Sequence, residues 1–259
     1  MRRRALLGLS LALCAGASGC STLEGPGLVP IPEESARVSQ WLTRERDAAR
    51  LRDSVRAFGK LILRTERGTV RTKQVVIARR PGQLRLESQN LLGQTQSLLV
   101  MDGNAFSFYD GAALEHGPVS SSLLRDALGL DLEPREAVAL LLASPPLPED
   151  EISAVYARGD ARVAAFESAR VSFSSSGELE RFERLGLDGS VRWSAEFAGW
   201  RDLGNGRYPF AMQLDFPSTD LRARLEFQEA ALNPTLLQSL FRLEPRSRSI
   251  PHSVPNFVR

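Results

Sequence analysis

Cys20 is the residue best suited to covalent chemistry. It follows the small residues Ala17-Ser18-Gly19, an apolar run from Ala5 to Ala15, and the basic start Arg2-Arg3-Arg4. That order reads as a secretory leader ending in a lipoprotein box. The apolar run is too short to span a bilayer as a stop-transfer helix. Cleavage before Cys20 makes it the N-terminus, and acyl chains on it hold a domain at a membrane. Such boxes usually carry Leu three residues before the cysteine, where this chain has Ala17. The alternative is an ordinary cleaved leader beside an incidental Cys20.

Bond-making chemistry finds few other candidates. His116 and His252 are the only histidines, and no serine lies in a nucleophile elbow that would pair with His116. Asp102 and Asp110 flank a hairpin, where Asp-Gly has an adequate turn explanation. Asp126, Asp131, Glu133 and Glu136 suit helix ends. Cys14 lies inside the leader, so two histidines and an acylated thiol make no metal set. The expectation is a protein that is not an enzyme and has no cofactor beyond the acyl groups on Cys20.

Without residues 1–19 the chain has 240 residues, enough for one large or two small domains. A net charge of +2 argues against a concentrated basic surface, and therefore against nucleic acid as a partner. With no cysteine beyond Cys20, stability must come from burial without disulfides.

Residues 20–32, ending Val29-Pro30-Ile31-Pro32, read as the acylated cysteine and a flexible tether. Residues 33–54 form an amphipathic helix, with Val38, Trp41, Leu42, Ala48, Ala49 and Leu51 opposite Arg44, Arg46, Asp47 and Arg50. From residue 55 the period changes to two. Val55, Ala57, Gly59, Leu61 and Leu63 alternate with Arg56, Lys60 and Arg64, and Val191, Trp193, Ala195 and Phe197 alternate with Arg192, Ser194 and Glu196. The same holds for Tyr208, Phe210, Met212, Leu214 and Phe216, and for Leu221, Ala223, Leu225 and Phe227. Further strands are expected at 70–79, 83–88, 95–102, 105–110, 152–157, 162–174 and 178–187. Each has one apolar and one solvated face, so they form one antiparallel sheet.

Two helices interrupt the strands. One spans 120–129 and carries Leu123, Leu124 and Leu128; the other spans 134–143 and carries Val138, Leu141 and Leu142. The second is apolar nearly all round, so it is buried or covers something apolar. A last short helix follows Asn233-Pro234, and residues 245–259 read as a disordered tail. The fold class expected is mainly β (α+β): a half-open barrel of about ten or eleven strands curled around its apolar face, with a helical lid. Either the helices complete a packed core, or they close a cavity lined by residues such as Trp193, Phe197, Phe210 and Met212. A transmembrane barrel also alternates, but the helical insert and missing aromatic girdles oppose it.

The order of motifs adds a family resemblance. Residues 83–111 read QLRLESQNLLGQTQSLLVMDGNAFSFYDG, a short strand follows, residues 120–146 read SSSLLRDALGLDLEPREAVALLLASPP, and residues 208–241 read YPFAMQLDFPSTDLRARLEFQEAALNPTLLQSLF. The strand pair, Asn-x-Leu-Gly turn, Asp-Gly hairpin, helix pair and Asn-Pro-x-Leu ending resemble the LolA/LolB-like superfamily, and most closely the outer-membrane lipoprotein receptor LolB. The resemblance implies one domain over residues 33–244, a half-barrel whose cavity holds lipoprotein acyl chains. It further implies cargo received from a LolA-like periplasmic carrier and a monomer anchored in the outer membrane, facing the periplasm. In that family a protruding leucine serves membrane insertion. The matching turn is Asn90-Leu91-Leu92-Gly93, with Leu91 in place of the family's proline and Leu92 at its leucine. Rival functions on the same fold are a sensor of lipid or lipoprotein and an envelope scaffold with a packed core.

Overall fold

The computed structural model describes residues 27–90 and 92–243, with the side chains of Ala127 and Leu128 outside that description. Cys20, Leu91, the leader and the segment 245–259 therefore lie outside the described residues, as does the Leu128 side chain.

The chain opens with β1 (Val29–Pro30) and α1 (Ser35–Leu51). A meander follows: β2 (Ser54–Thr65), β3 (Gly68–Arg79), β4 (Gln83–Gln89), β5 (Thr95–Asp102), β6 (Ala105–Tyr109) and β7 (Leu114–Pro118). Next come α2 (Leu123–Leu128) and α3 (Pro134–Leu141). The second meander is β8 (Ala154–Arg158), β9 (Ala161–Ala165), β10 (Ala169–Phe173), β11 (Leu179–Leu185), β12 (Val191–Asp202), β13 (Arg207–Phe216) and β14 (Leu221–Leu232). A 3-10 turn at Gln238–Phe241 ends the described chain.

The strands form one antiparallel sheet in the order β1-β8-β9-β10-β11-β12-β13-β14-β2-β3-β4-β5-β6-β7. It is the open, curved sheet expected, with fourteen strands among the described residues rather than about ten or eleven. The difference has three sources. The segment 162–174 is two strands, because the Phe166 amide bonds the Ala169 carbonyl at 2.9 Å and turns the chain. β7 is an exposed edge that needs one partner and no apolar face. Val29 and Pro30, within the expected tether, pair with Ala157 and Tyr156, so the tether ends before residue 29.

One long core fills the concave face. Val38 and Leu42 of α1 are buried in it, as are Phe182 and Trp193, whose tilted rings lie 5.3 Å apart. Gly177, at φ +79°, lets Trp41 close over the β10–β11 turn; a Cβ there would overlap the indole. Gly59 allows β14 to approach β2 at its bulge, since a Cβ would overlap the Glu226 carbonyl. The convex face is largely polar. The segment at its chain end covers an apolar exception: Phe241 packs on Ile77, Leu98 and Val100, and Arg79 lies 5.0 Å above its ring.

Candidate functional site

A cavity of about 130 Å³ lies between the concave face and the helix pair. Leu61 and Leu63 of β2, Leu84 and Leu86 of β4, and Phe197 of β12 form part of its wall. Met212 and Leu214 of β13 and Ala223 and Leu225 of β14 complete the sheet side, apart from Gln74 of β3. The lid contributes Leu124 from α2, Leu130 and Leu132 from the connection, and Ala137, Leu140 and Leu141 from α3. An apolar void of roughly 150 Å³ stays dry and accepts a benzene-sized molecule, whereas ligand pockets run from about 300 to 1,000 Å³. The site as it stands is thus apolar and too small for a whole acyl chain. A larger occupant requires the lid to withdraw.

The two ends of the lid are held differently. Pro134 starts α3, with Glu133 and Glu136 forming a capping box. At its far end the Tyr208 hydroxyl donates to the Leu141 carbonyl at 2.6 Å, and Arg52 donates to the Ala143 carbonyl at 2.6 Å. Arg52 also pairs with Glu45 at 2.8 Å and lies 5.3 Å over Trp200, joining lid, helix and sheet. Burial raises the Tyr208 hydroxyl far above its ordinary pKa, opposed weakly by the Arg52 charge. Burial likewise raises Glu45, while Arg52 pulls it down. At the other end of the lid, Asp131 meets Arg192 at 3.3 Å and Arg125 at 3.7 Å, through solvent-exposed side chains. Such pairs contribute about 0–1 kcal/mol. Glu136 also meets Arg184 of β11 at 3.4 Å through half-buried side chains, so this end of the lid is latched by exposed and half-buried pairs and the other is held by buried groups.

Strand register brings the tips at residues 65–68, 90–94, 186–190 and 217–220 to one end of the sheet, beside that latch. Large apolar side chains stand in solvent there: Leu92 at 83%, Leu187 fully exposed and Val70 at 57%. Asn90 holds the Leu92 turn, its Oδ1 accepting from the Leu92 amide at 2.9 Å and the Gln94 amide at 3.0 Å. Asp188 does the same beside Leu187, accepting from the Ser190 amide at 3.0 Å and hydroxyl at 2.6 Å. These Asx turns supply rigidity without a proline.

Of the residues expected in the lid and cavity, Leu124, Leu141, Phe197 and Met212 do line it. Leu123, Val138, Leu142, Trp193 and Phe210 do not, although all are buried in the same core. Val138 on α3 and Leu142 at its C-cap lie away from the Ala137, Leu140 and Leu141 stripe. Trp193 is filled in by Phe182 and Arg184, and Phe210 by the Arg201 guanidinium 3.9 Å from its ring centre. The sequence reading missed the leucines of β2 and β4 and the 130–132 connection. Their alternation was legible, but depth along a strand has no local signature. It also missed Leu187, for which the signal was an apolar residue inside the turn Gly186-Leu187-Asp188-Gly189. His116 contacts the Ser107 hydroxyl at 2.8 Å on the exposed β6–β7 edge, remote from the cavity lining. Among the described residues no helix is long and apolar enough to cross a membrane, which says nothing of strands.

No family model matches the chain, and no curated protein resembles it significantly in sequence. Solved structures do resemble it. A LolA-superfamily protein from Nitrosomonas europaea aligns with TM-score 0.55 and 8% identity over 80% of this chain and 97% of that one. A DUF1329-family protein from Desulfovibrio piger aligns with the same TM-score, identity and coverage. An outer membrane lipoprotein-sorting protein domain, described as putative, from Vibrio parahaemolyticus gives 0.50 and 10% identity over 82% and 97%. At these identities the likeness is one of fold, and the fold of this chain is LolA-like.

Proposed function

We propose that this chain is a lipoprotein receptor anchored in the outer membrane through acylated Cys20 and facing the periplasm. It takes acyl chains of other lipoproteins beneath its lid, receives them from a LolA-like carrier, and passes them to the membrane. It acts as a monomer, without cofactor and without bond chemistry. The observation that carries this reading is an apolar, leucine-lined cavity under a lid, with Leu92 exposed at the same end of the sheet as the Asp131–Arg192 pair. Burying a methylene is worth about 0.8 kcal/mol, so a withdrawn lid would offer an acyl chain nearly what a bilayer offers. Transfer then needs only a gradient of affinity and a route that keeps the chains from water.

The test mixes a secreted Cys20→Ala form with a purified periplasmic carrier loaded with an acylated lipoprotein and follows cargo by native mass spectrometry. Cargo is expected to move to this protein, and the Leu92→Glu variant is expected to accept it but fail to release it into liposomes. A protein that neither accepts cargo nor retains lipid from cells would be a packed scaffold.

A further inference from the structure

The cavity wall has one polar interruption, on the concave face of β3 and β4. Gln74 is 3% exposed and is the one polar residue among those lining the cavity. Its Oε1 accepts from the Ser88 hydroxyl at 2.9 Å, while its amide nitrogen reaches only the neighbouring Val75 carbonyl, at 3.4 Å. Thr72 Oγ1 is buried with no hydrogen-bond partner among the described residues. Register puts all three on the same face, with Gln74 opposite Ser88 and Thr72 opposite the cavity residue Leu61. Buried donors left unpaired carry a cost that a complementary acceptor removes. A purely hydrocarbon ligand would leave that cost in place.

We propose that Gln74 and Thr72 form a carbonyl subsite that reads the neutral ester or amide group of an acyl ligand; this rests on the acyl-binding reading above. Among the described residues no charged side chain lines the cavity, so a free carboxylate or phosphate finds no counter-charge from them there. The subsite also sets direction. Lys73, between the two polar residues in the chain, pairs with Gln89 beside the Leu92 turn. The hydrocarbon tail runs inward toward Leu84 and Leu140, and the carbonyl lies nearer the exposed rim, where a headgroup or peptide reaches solvent.

The test displaces an apolar fluorescent dye from the Cys20→Ala protein with methyl decanoate, an n-alkane of equal length, and decanoate. The ester is expected to bind about fivefold more tightly than the alkane, one net hydrogen bond's worth, and the carboxylate more weakly than the ester. Thr72→Val/Gln74→Met, which keeps volume, should bring ester and alkane to equal affinity without weakening the alkane. Thr72→Ser should retain the preference. Equal affinities in the unaltered protein, or a preference that survives the double substitution, would overturn the subsite but leave acyl binding standing. Failure of both ester and alkane to displace the dye would overturn acyl binding itself. A diacylated lipopeptide and a phospholipid of matched chains, run in parallel, distinguish the source of the carbonyl. The ligand whose binding falls in the double variant is that source, and a fall in neither overturns the proposal.

Discussion

Where α1 meets the sheet, Arg52 and Glu45 are buried and paired beside an exposed Leu51. At the opposite end, Leu92 and Leu187 stand in water on turns. The closed end holds Arg52 among Glu45, the Ala143 carbonyl and Trp200, and Asn233 clasps the amides of Asp53 and Ser54 at 2.9 and 3.1 Å. The open end holds Leu92, Leu187 and exposed ion pairs. A buried pair resists separation because removing one partner strands the other, whereas an exposed pair exchanges with water at little cost. The same lid is therefore held by buried groups at one end and by exposed and half-buried ion pairs at the other.

Substitutions at the two ends should break this contrast in opposite ways. The largest stability loss is expected for Arg52→Met, about 3–5 kcal/mol by denaturant unfolding, because Glu45 and the Ala143 carbonyl lose their partner. Tyr208→Phe strands the Leu141 carbonyl and should cost about 1–3 kcal/mol in the same measurement. Ala137→Leu fills part of the cavity; a gain of about 0.5–2 kcal/mol with loss of dye binding is expected. Were it to bind dye as before, the ligand would lie elsewhere.

At the open end, Leu92→Glu/Leu187→Glu should leave stability within about 0.5 kcal/mol per site. Liposome co-sedimentation of loaded protein should fall, and unchanged release of cargo would remove the rim from the mechanism. The smallest effect concerns pH. Glu45 holds its proton more tightly folded than unfolded, so its contribution declines as pH rises from the ordinary 4.5 through the raised folded value, then levels off. Glu45→Gln should flatten that decline in unfolding free energy measured across the acid range.

Legibility differed between strands and cavity for a physical reason. Period-two alternation located the long strands because one face of each meets a core and the other meets water. The residues 208–216 and 221–227 appear in the sheet as read. The two-residue β1 and the polar edge β7 are held by a neighbour's backbone, which leaves no side-chain pattern to find. Within the site, Leu124, Leu141, Phe197 and Met212 were identified because apolar residues on a lid and facing strands had to converge. Trp193 and Phe210 satisfied the same rule yet fill solid core.

By itself the sequence determined the leader-like start, the absence of cysteine after Cys20, the alternating strands and the nearly all-apolar α3. Those features rest on local composition and spacing. Only the tertiary structure decided which leucines face a void, that Arg52 joins helix to lid, and that Gln74 interrupts an apolar wall with Thr72 on the same face of the sheet. It also decided that Leu187 shares an end of the sheet with Leu92. Each of these depends on register and curvature across distant strands, and no window of neighbouring residues carries that information.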